Sequence, residues 1–525
     1  MRKLLTPVVL AAPIFSLSSP AAAQARLPRR FDADVARALR QFQVPGAAIA
    51  VVKDGRVLLA KGYGVRRLGE PAAVDPHTLF QIASNTKAFT TACLAMLVDS
   101  GVLAWDDRVT RYLPDFQLAD PWVTREFTIR DLVTHRSGLG LGAGDLLWFH
   151  SGYSRAEIIR RMRAAPPVSS FRSQYAYDNV LYAAAGEIIP AATGKTWETF
   201  ARERIFVPLA MAETRVGVAD LRPGDVVATP YALVDGRPQI VPLDTVDNIA
   251  PAGALLSNAA DLSQWLLAQL DSGRARGGGG GGTRLWSARQ TREMWSAQTI
   301  IPIDEPEPPL AALRPNFSAY GLGWRLRDYR GHKIVSHTGG LAGMSSQTTL
   351  VPDQRLGVVI LTNGESDVSA ALSYELLDHF FGAPARDWIA AFHDVAQQNQ
   401  ADADSVLRSL RRSRDSTAGP SLPPARYAGA YRDALYGDAT ITLENGSLVL
   451  RFSHSPAFVG DLEHWQYDTF KTHWRTPHLE DAFVTFGLNA DGSIAQFKMA
   501  AVSPLADFSF DYQDLRFVPA GRSAR

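Results

Sequence analysis

The chain lacks the features of disulfide-bonded, nucleic-acid-binding and membrane-spanning proteins. Its 525 residues include one cysteine, Cys93, so no disulfide can form within the chain and stability must come from core packing. The 54 basic and 53 acidic residues leave a net charge of +1, which gives no general attraction to nucleic acid or to an anionic membrane. Beyond the N-terminus no run of about 18 apolar residues occurs, so we expect no membrane insertion of the mature chain.

Two common catalytic signatures are also missing. There is no G-x-S-x-G sequence, which excludes the nucleophile elbow of α/β-hydrolases. There is no H-E-x-x-H sequence, and His473 and His478 lie in aromatic, strand-like sequence without companion ligands. We therefore predict neither a metal site nor a cofactor. Cys93 falls on an apolar helical stripe, which favours a buried core residue over a catalytic thiol.

The N-terminus has the layout of a secretory signal peptide. Arg2 and Lys3 precede a mostly apolar run over residues 4–17, and a run of alanines ends at Ala23. The apolar run is too short to span a bilayer comfortably. We predict a signal peptide over residues 1–23 and a mature protein that is periplasmic or secreted.

The sequence from residue 24 to residue 395 predicts one α/β domain. Two β-rich stretches over residues 46–62 are joined by a hairpin turn at Asp54-Gly55, and strand-like sequence returns over residues 320–326, 333–337 and 356–363. Between them, roughly from 104 to 245, the periodicity is mainly helical. We therefore expect the early and late strands to form one sheet, with a helical subdomain inserted between them.

The remaining sequence predicts connectors and a second domain. Gly277–Gly282 is a run of six glycines typical of a flexible surface loop, and residues 396–423 have the mixed polar composition of an interdomain linker. Residues 424–525 contain short aromatic strands and a hairpin turn at Asn445-Gly446. This pattern indicates a separate all-β domain, a barrel or a sandwich.

Ser84 and Lys87 form the first candidate catalytic pair. At a helix N-terminus, residues three apart lie on one face, so the Lys87 amine can reach the Ser84 hydroxyl and activate it as a nucleophile. A helix-capping serine beside a solvated lysine is the alternative interpretation. The chain has only eight lysines, however, and Lys87 lies in an otherwise apolar segment. A lysine in such a segment favours a functional role.

Two later motifs can complete a site. Tyr177 and Asn179 directly precede a predicted helix, where a phenol could relay protons and an amide could hold a substrate carbonyl. His337, Thr338, Gly339 and Gly340 close a strand-like run, where glycines would let substrate lie against a strand edge and a backbone N–H could serve an oxyanion hole. Packing and capping, or a tight turn, are the alternatives for each motif taken alone.

The three motifs together resemble those of the serine β-lactamase and penicillin-binding-protein superfamily. The resemblance is closer to the class C β-lactamase-related branch that includes D-aminopeptidases, D-stereospecific peptidases and carboxylesterases. Three further segments resemble stock phrases of that branch: Thr128–Leu139, Pro251–Leu262 and Tyr320–Trp324. The resemblance covers roughly residues 31–390 and implies an antiparallel sheet flanked by helices. The sequence around Gly460–Trp465 resembles a lipocalin-like C-terminal module, which implies an all-β barrel.

The resemblance also implies roles for the candidate residues. Ser84 would be the acylated nucleophile, and Lys87 and Tyr177 would share general acid and base catalysis. Asn179 would orient the substrate, and the backbone N–H groups of Ser84 and Gly340 would form the oxyanion hole. His337 stands where β-lactamases usually have lysine, and a neutral histidine supplies little charge at pH 7. True β-lactamase activity is therefore not expected.

We expect a serine peptidase or amidase acting on small or unusual peptides, such as those with D-residues or linearised cyclic peptides. Tyr177 and Asn179 favour amides, because poor leaving groups need protonation. A carboxylesterase is the second hypothesis, and a non-catalytic binding or scaffold protein on the same fold is a third. The apolar stretch Asp145–His150 is placed either at the substrate entrance or in the subdomain core. We predict a small-molecule or short-peptide substrate and no nucleic acid partner; oligomeric state is left open.

Overall fold

The computed structural model of the protein describes residues 26–234, 236–275 and 282–521. The predicted signal peptide lies outside the described residues, as does most of the predicted glycine loop, of which Gly282 alone is described. None of the helices in these ranges is long and apolar enough to cross a membrane.

An eight-stranded sheet organises the first domain. The strands up to residue 362 are β1 (Gly46–Lys53), β2 (Arg56–Gly64), β3 (Phe80–Gln81), β4 (Tyr231–Val234), β5 (Arg237–Ile240), β6 (Leu256–Ser257), β7 (Thr299–Ile300), β8 (Ser318–Tyr320), β9 (Arg325–Tyr329), β10 (His332–Leu341), β11 (Met344–Val351) and β12 (Leu356–Thr362). The order in the sheet is β2-β1-β12-β11-β10-β9-β8-β7, and all seven pairs of neighbouring strands are antiparallel. The predicted union of early and late strands is confirmed, because β1 pairs with β12 from Ala47↔Thr362 to Lys53↔Leu356.

Helices cover both faces of the sheet and fill the inserted region. They are α1 (Phe31–Gln41), α2 (Thr86–Asp99), α3 (Pro121–Glu126), α4 (Ile129–Leu132), α5 (Arg155–Arg161), α6 (Val180–Thr193), α7 (Trp197–Ala201), α8 (Ala250–Gly253), α9 (Ala259–Leu270), α10 (Ala288–Met294), α11 (Val368–Phe381) and α12 (Trp388–Ser413). The inserted region is mainly helical, as predicted, with the short hairpin of β4 and β5 added. Helix α2 is the central element, since every residue from Thr86 to Leu97 is buried, including the unpaired Cys93.

The second domain is a closed barrel of eight antiparallel strands. These are β13 (Gly429–Asp433), β14 (Gly437–Glu444), β15 (Ser447–Phe452), β16 (Val459–Gln466), β17 (Thr469–Trp474), β18 (Ala482–Leu488), β19 (Ile494–Ala501) and β20 (Arg516–Pro519). The predicted all-β barrel is confirmed, and Asn445-Gly446 forms the turn between β14 and β15. The prediction of a linker over residues 396–423 is wrong for its first part, because residues 396–413 continue the helix α12. An amphipathic stripe that ends at the buried Val395 and Ala403 keeps this polar sequence helical.

The barrel packs directly against the inserted helical region. The buried Asp511 carboxylate accepts hydrogen bonds from the backbone N–H groups of Gly144 (2.9 Å) and Leu146 (3.2 Å), and the Tyr436 hydroxyl also donates to it. Phe149 meets Phe510 edge to face at 5.3 Å between ring centres. The two domains therefore share one buried core, and the barrel holds the loop around residue 145 from the outside.

Candidate active site

Ser84 and Lys87 lie where β3 turns into α2. Ser84 is in a single 3₁₀ turn, Ala83–Asn85, and Lys87 is in the first helical turn that follows. The 3₁₀ turn and the α-helix place both side chains on the same side, so the Lys87 Nζ atom is 3.0 Å from the Ser84 Oγ atom. The sequence predicted this juxtaposition from the spacing of three residues.

The Lys87 amine is completely buried and has three hydrogen-bond partners. Its Nζ atom donates hydrogen bonds to Asn179 Oδ1 at 2.7 Å and to the Ala252 carbonyl at 2.9 Å. Burial lowers the pKa of Lys87 to about 7, although the charges of Asp145 and Asp178 act in the opposite direction. A neutral amine has two hydrogens and one lone pair. Because two acceptors take the hydrogens, the lone pair is left for the hydroxyl of Ser84.

Tyr177 and Asn179 reach the same point from the start of α6. The Tyr177 hydroxyl is hydrogen-bonded to Ser84, and its ring centre lies 4.7 Å from Lys87 Nζ. Burial raises the pKa of Tyr177 well above its ordinary value, so the side chain remains a phenol. His135 packs on this ring at 4.2 Å between ring centres and fixes its orientation.

A buried aspartate, Asp145, orients the Asn179 side chain. The sequence analysis named it only as part of the stretch Asp145–His150. The Asp145 carboxylate accepts hydrogen bonds from Asn179 Nδ2 at 2.9 Å and from Trp148 Nε1 at 2.7 Å. Burial raises the pKa of Asp145 to about 7. The hydrogen bond fixes which way the Asn179 amide faces, because its Nδ2 donates to Asp145 and its Oδ1 is left to accept from Lys87.

The third motif lies inside a strand rather than at its end, which corrects the sequence interpretation. Strand β10 runs on through Leu341 and pairs with β11 over its whole second half. Its pairing with β9 stops at Ser336↔Arg325, so on that side the segment from His337 to Leu341 has no strand neighbour among the described residues. This open edge faces the site and offers backbone groups to an extended substrate.

The residues of the open edge alternate between exposed and buried positions. Thr338 and Gly340 are exposed to the site, whereas Gly339 is buried behind it. A Cβ atom on Gly339 would lie 2.2 Å from the Ile82 carbonyl oxygen, so only glycine lets β10 approach the turn that carries Ser84. The absence of a side chain at position 339 thus allows the short distance between the strand and the turn that carries the nucleophile.

His337 is held as a neutral side chain. Its Nδ1 is 2.6 Å from the Thr338 carbonyl oxygen and its Nε2 is 2.8 Å from the Tyr320 hydroxyl. The carbonyl can only accept, so Nδ1 carries the proton and Nε2 accepts from the tyrosine. Burial lowers the pKa of His337 to about 3, and the nearby Lys87 acts in the same direction. His337 therefore does not supply the positive charge of a lysine.

These elements enclose a cavity of about 400 Å³. Six of the eight predicted site residues line it: Ser84, Tyr177, Asn179, His337, Thr338 and Gly340. Lys87 lies beneath Ser84, and Gly339 lies behind the strand. The stretch Asp145–His150 was expected either at the substrate entrance or in the subdomain core. It contributes to both, because Trp148 lines the cavity and Asp145 is fully buried.

Comparison with known proteins agrees with this geometry. The family profile described as Beta-lactamase matches residues 31–379. The chain belongs to the Beta-lactamase family. Residues 413–519 match a second profile, described as a domain of unknown function (DUF3471). The region after 413 is thus the barrel appended to a Beta-lactamase domain.

Individual proteins similar to this Beta-lactamase-family chain include hydrolases and penicillin-binding proteins. An unguisins hydrolase from Aspergillus violaceofuscus is 31% identical over 439 residues, covering 79% of this chain and 76% of that protein. The octameric penicillin-binding protein homologue from Pyrococcus abyssi is similar in structure, with a TM-score of 0.59, 19% identity and coverage of 90% of this chain and 98% of that chain. D-amino acid amidase from Ochrobactrum anthropi has a TM-score of 0.53 with 24% identity, over 67% of this chain and 97% of that chain. These two structures share the fold.

Two groups of residues that line the cavity of this Beta-lactamase-family chain were not predicted from the sequence. Arg325, opposite Ser336 on the neighbouring strand, brings a positive charge to the cavity next to the neutral His337. Asp507, Phe508 and Ser509 come from the barrel, in the segment between β19 and β20. No local motif marks either group; only the pairing of β9 with β10 and the docking of the barrel place them at the site.

Proposed function

We propose that this protein is an exported serine peptidase or amidase that forms an acyl-enzyme at Ser84. The observation that carries the proposal is the buried Lys87 amine, 3.0 Å from the Ser84 hydroxyl, with its other two directions occupied by acceptors. Its pKa of about 7 provides a free amine at neutral pH. That is the form a general base requires.

The acylation step follows from the proton positions. Ser84 Oγ attacks the substrate carbonyl carbon while its proton passes to Lys87 Nζ. The backbone N–H groups of Ser84 and Gly340 stabilise the oxyanion that develops. Tyr177, which remains a phenol, donates its proton to the leaving nitrogen and is reprotonated from the Lys87 ammonium. The C–N bond breaks, an amine leaves, and the acyl group stays on Ser84.

Deacylation reverses the direction of proton transfer. Water takes the place of the departed amine, gives a proton to the Lys87 amine, and attacks the acyl carbon. The ester bond to Ser84 breaks, the serine regains its proton and a carboxylic acid is released. The neutral His337 takes no part in this proton transfer, because its pKa lies near 3.

The cavity and the relatives support an amide substrate of small or unusual peptide character. A donor such as Tyr177 matters most for amines, which are poor leaving groups. Arg325 at the cavity wall suits a peptide carboxylate. A relative at 31% identity is an unguisins hydrolase, and a structure of the same fold is a D-amino acid amidase. We extend amide hydrolysis to this chain on those grounds.

A fluorophosphonate probe tests the nucleophile. We expect labelling of Ser84 in the wild type and none in Ser84→Ala, with mass spectrometry locating the adduct. Folded wild-type protein that stays unlabelled would support the non-catalytic alternative. Turnover of matched D-peptide amide, L-peptide amide and short acyl ester substrates then separates a peptidase from a carboxylesterase, since hydrolysis of the ester alone would overturn the amide assignment.

Export is proposed from the sequence of residues 1–23. The test expresses the full chain in a bacterial host and determines the N-terminus of the protein recovered from the periplasm and medium. We expect a new N-terminus near Gln24. Accumulation in the cytoplasm with Met1 retained would overturn export and leave the catalytic proposal unaffected.

A further inference from the structure

A second cavity adjoins the catalytic cavity. It has a volume of about 340 Å³, and we call it the side cavity. Five residues line both: Trp148, Gly340, Leu341, Asp507 and Ser509. A substrate lying along the open edge of β10 can therefore extend from one cavity into the other without leaving the protein surface.

The side cavity has an acidic lining without a matching basic side chain. Asp244, Glu365 and Asp507 line it, and none of its described lining residues is lysine or arginine. Glu365 and Asp507 are exposed at its mouth, whereas Asp244 is 1% exposed. The backbone N–H groups of Ala342 and Gly343 donate to Asp244 Oδ2 and Glu365 Oε1, which holds both carboxylates in place.

One oxygen of the buried carboxylate is left without a hydrogen bond. Asp244 Oδ1 has no hydrogen-bond partner among the described residues, although His150 Nε2 lies 3.3 Å away in an unfavourable direction. Burial lowers the pKa of His150 to about 4 and also lowers the pKa of His478, so neither imidazole provides a cation at neutral pH. Burial raises the pKa of Asp244 to about 7 and also raises the pKa of Glu365, so a cation bound between them would stabilise the ionised form of both groups. An unpaired buried carboxylate oxygen is costly unless a ligand satisfies it.

The walls of the side cavity complement this acidic floor. Trp148, Phe149 and Phe510 contribute aromatic surface, which packs against an aliphatic stem and also attracts a cation. At the other end of the β10 edge, Arg325 lies opposite Ser336. Leu341 is five positions along the strand from Ser336, or about 16 Å. The two ends of the combined site thus have opposite charge and are a short peptide apart.

We propose that the side cavity binds a cationic group of the substrate, an ammonium or guanidinium on an aliphatic stem, while Ser84 attacks the substrate carbonyl. This inference rests on the proposed function, and it names the substrate class as peptides with a cationic residue near the scissile bond. The cation would pair with Asp244 on the floor and with Glu365 at the mouth.

A set of activated esters tests the charge preference separately from the leaving group. The substrates are p-nitrophenyl esters of 4-aminobutanoic, 6-aminohexanoic and 8-aminooctanoic acid, each compared with the unsubstituted acyl ester of similar length. We expect at least one amino ester to exceed its neutral match about tenfold in kcat/KM, the order expected for a desolvated ion pair. Asp244→Asn and Glu365→Gln should each reduce that ratio, and the double variant should bring it close to one.

Asp367→Asn is the matched control, because it removes a carboxylate two residues from Glu365 and outside the cavity lining. Its ratio should equal that of the wild type. A ratio near one at every length in the wild type overturns the proposal, as does a preference that survives both cavity substitutions. If Asp244→Asn does not fold, Glu365→Lys should reverse the preference, and its failure to do so also overturns the proposal. Failure of every ester to acylate Ser84 would instead overturn the proposed function.

Discussion

The catalytic cavity has two walls of different origin and character. The wall from the Beta-lactamase domain carries the hydrogen-bonded group of Ser84, Lys87 and Tyr177, in which burial lowers the pKa of Lys87 and raises that of Tyr177. The barrel wall carries Asp507, Phe508 and Ser509, which are exposed or half-buried and include no nucleophile or base of the proposed mechanism. In the proposed mechanism, one domain thus supplies the reacting groups and the other shapes the access to them.

Lys87→Ala should have the largest effect, because it removes the general base from the first wall. We expect turnover to fall by about 10⁴-fold or more, as for other members of a nucleophile–base unit. The midpoint of thermal unfolding should stay near that of the wild type, because the lost hydrogen bonds are offset by the lost desolvation of a buried amine. Steady-state kinetics and circular dichroism check both. Retained turnover would remove Lys87 from the mechanism.

The pH dependence of the wild type should follow the same amine. Lys87 acts as a base only when unprotonated, and its pKa is about 7. Below pH 7, kcat/KM should therefore fall about tenfold per pH unit, and above pH 8 it should level off. Since the negative charge of Asp145 raises the pKa of Lys87, Asp145→Asn should move the midpoint to lower pH. A flat profile between pH 6 and 8 would contradict this assignment.

The first wall could be predicted from the sequence for a physical reason. Ser84 and Lys87 are three residues apart on a turn and helix, so local structure places their side chains together. That Tyr177 and Asn179 meet this pair was inferred from the resemblance of the motifs taken together, because distant residues such as His135 and Asp145 orient these side chains. The strand β10 was placed less well, because its glycines resemble a turn until the pairing with β11 shows that the strand continues. The sequence analysis predicts no strand over Met344–Val351, so it gives no partner that would indicate the continuation of β10.

The barrel wall depends on long-range docking, which periodicity and motifs do not encode. The barrel itself was predictable, since alternating aromatic residues and the Asn445-Gly446 turn indicate strands. Its contribution to the cavity depends on Asp511, which lies 367 residues from Gly144 in sequence and binds the backbone on both sides of Asp145. An isolated aspartate in a loop gives no sign of such a contact.

Asp511→Asn tests whether the barrel acts on the chemistry through this contact. Loss of one acceptor releases the loop that carries Asp145 and so loosens Asn179. We expect kcat to fall about tenfold, within the range for residues that orient a catalytic group. Asp468→Asn is the matched control, a half-buried barrel aspartate whose carboxylate accepts from the Ser421 backbone N–H and hydroxyl and from the Tyr427 hydroxyl. The control variant should lower stability to a similar degree while leaving kcat unchanged. If the control lost as much kcat as Asp511→Asn, the role of Asp511 would be purely structural.

Phe508→Ala should have the smallest effect and the most selective one. Phe508 packs edge to face on Tyr177 at 5.6 Å between ring centres, yet its side chain is 37% exposed, so it has surface left for a substrate. Its backbone is pressed against Gly142, where a Cβ atom would lie 2.6 Å from the Phe508 carbonyl oxygen, so truncation of the ring should not displace the segment.

We therefore expect KM of a hydrophobic acyl substrate to rise about threefold to tenfold with kcat within about twofold, as for loss of part of an apolar contact surface. Leu505→Ala, in the same segment but outside the cavity lining, should leave both constants unchanged. A fall in kcat without a change in KM would mean that the ring holds Tyr177 for proton transfer, and the division between a reacting wall and a shaping wall would then fail at Phe508.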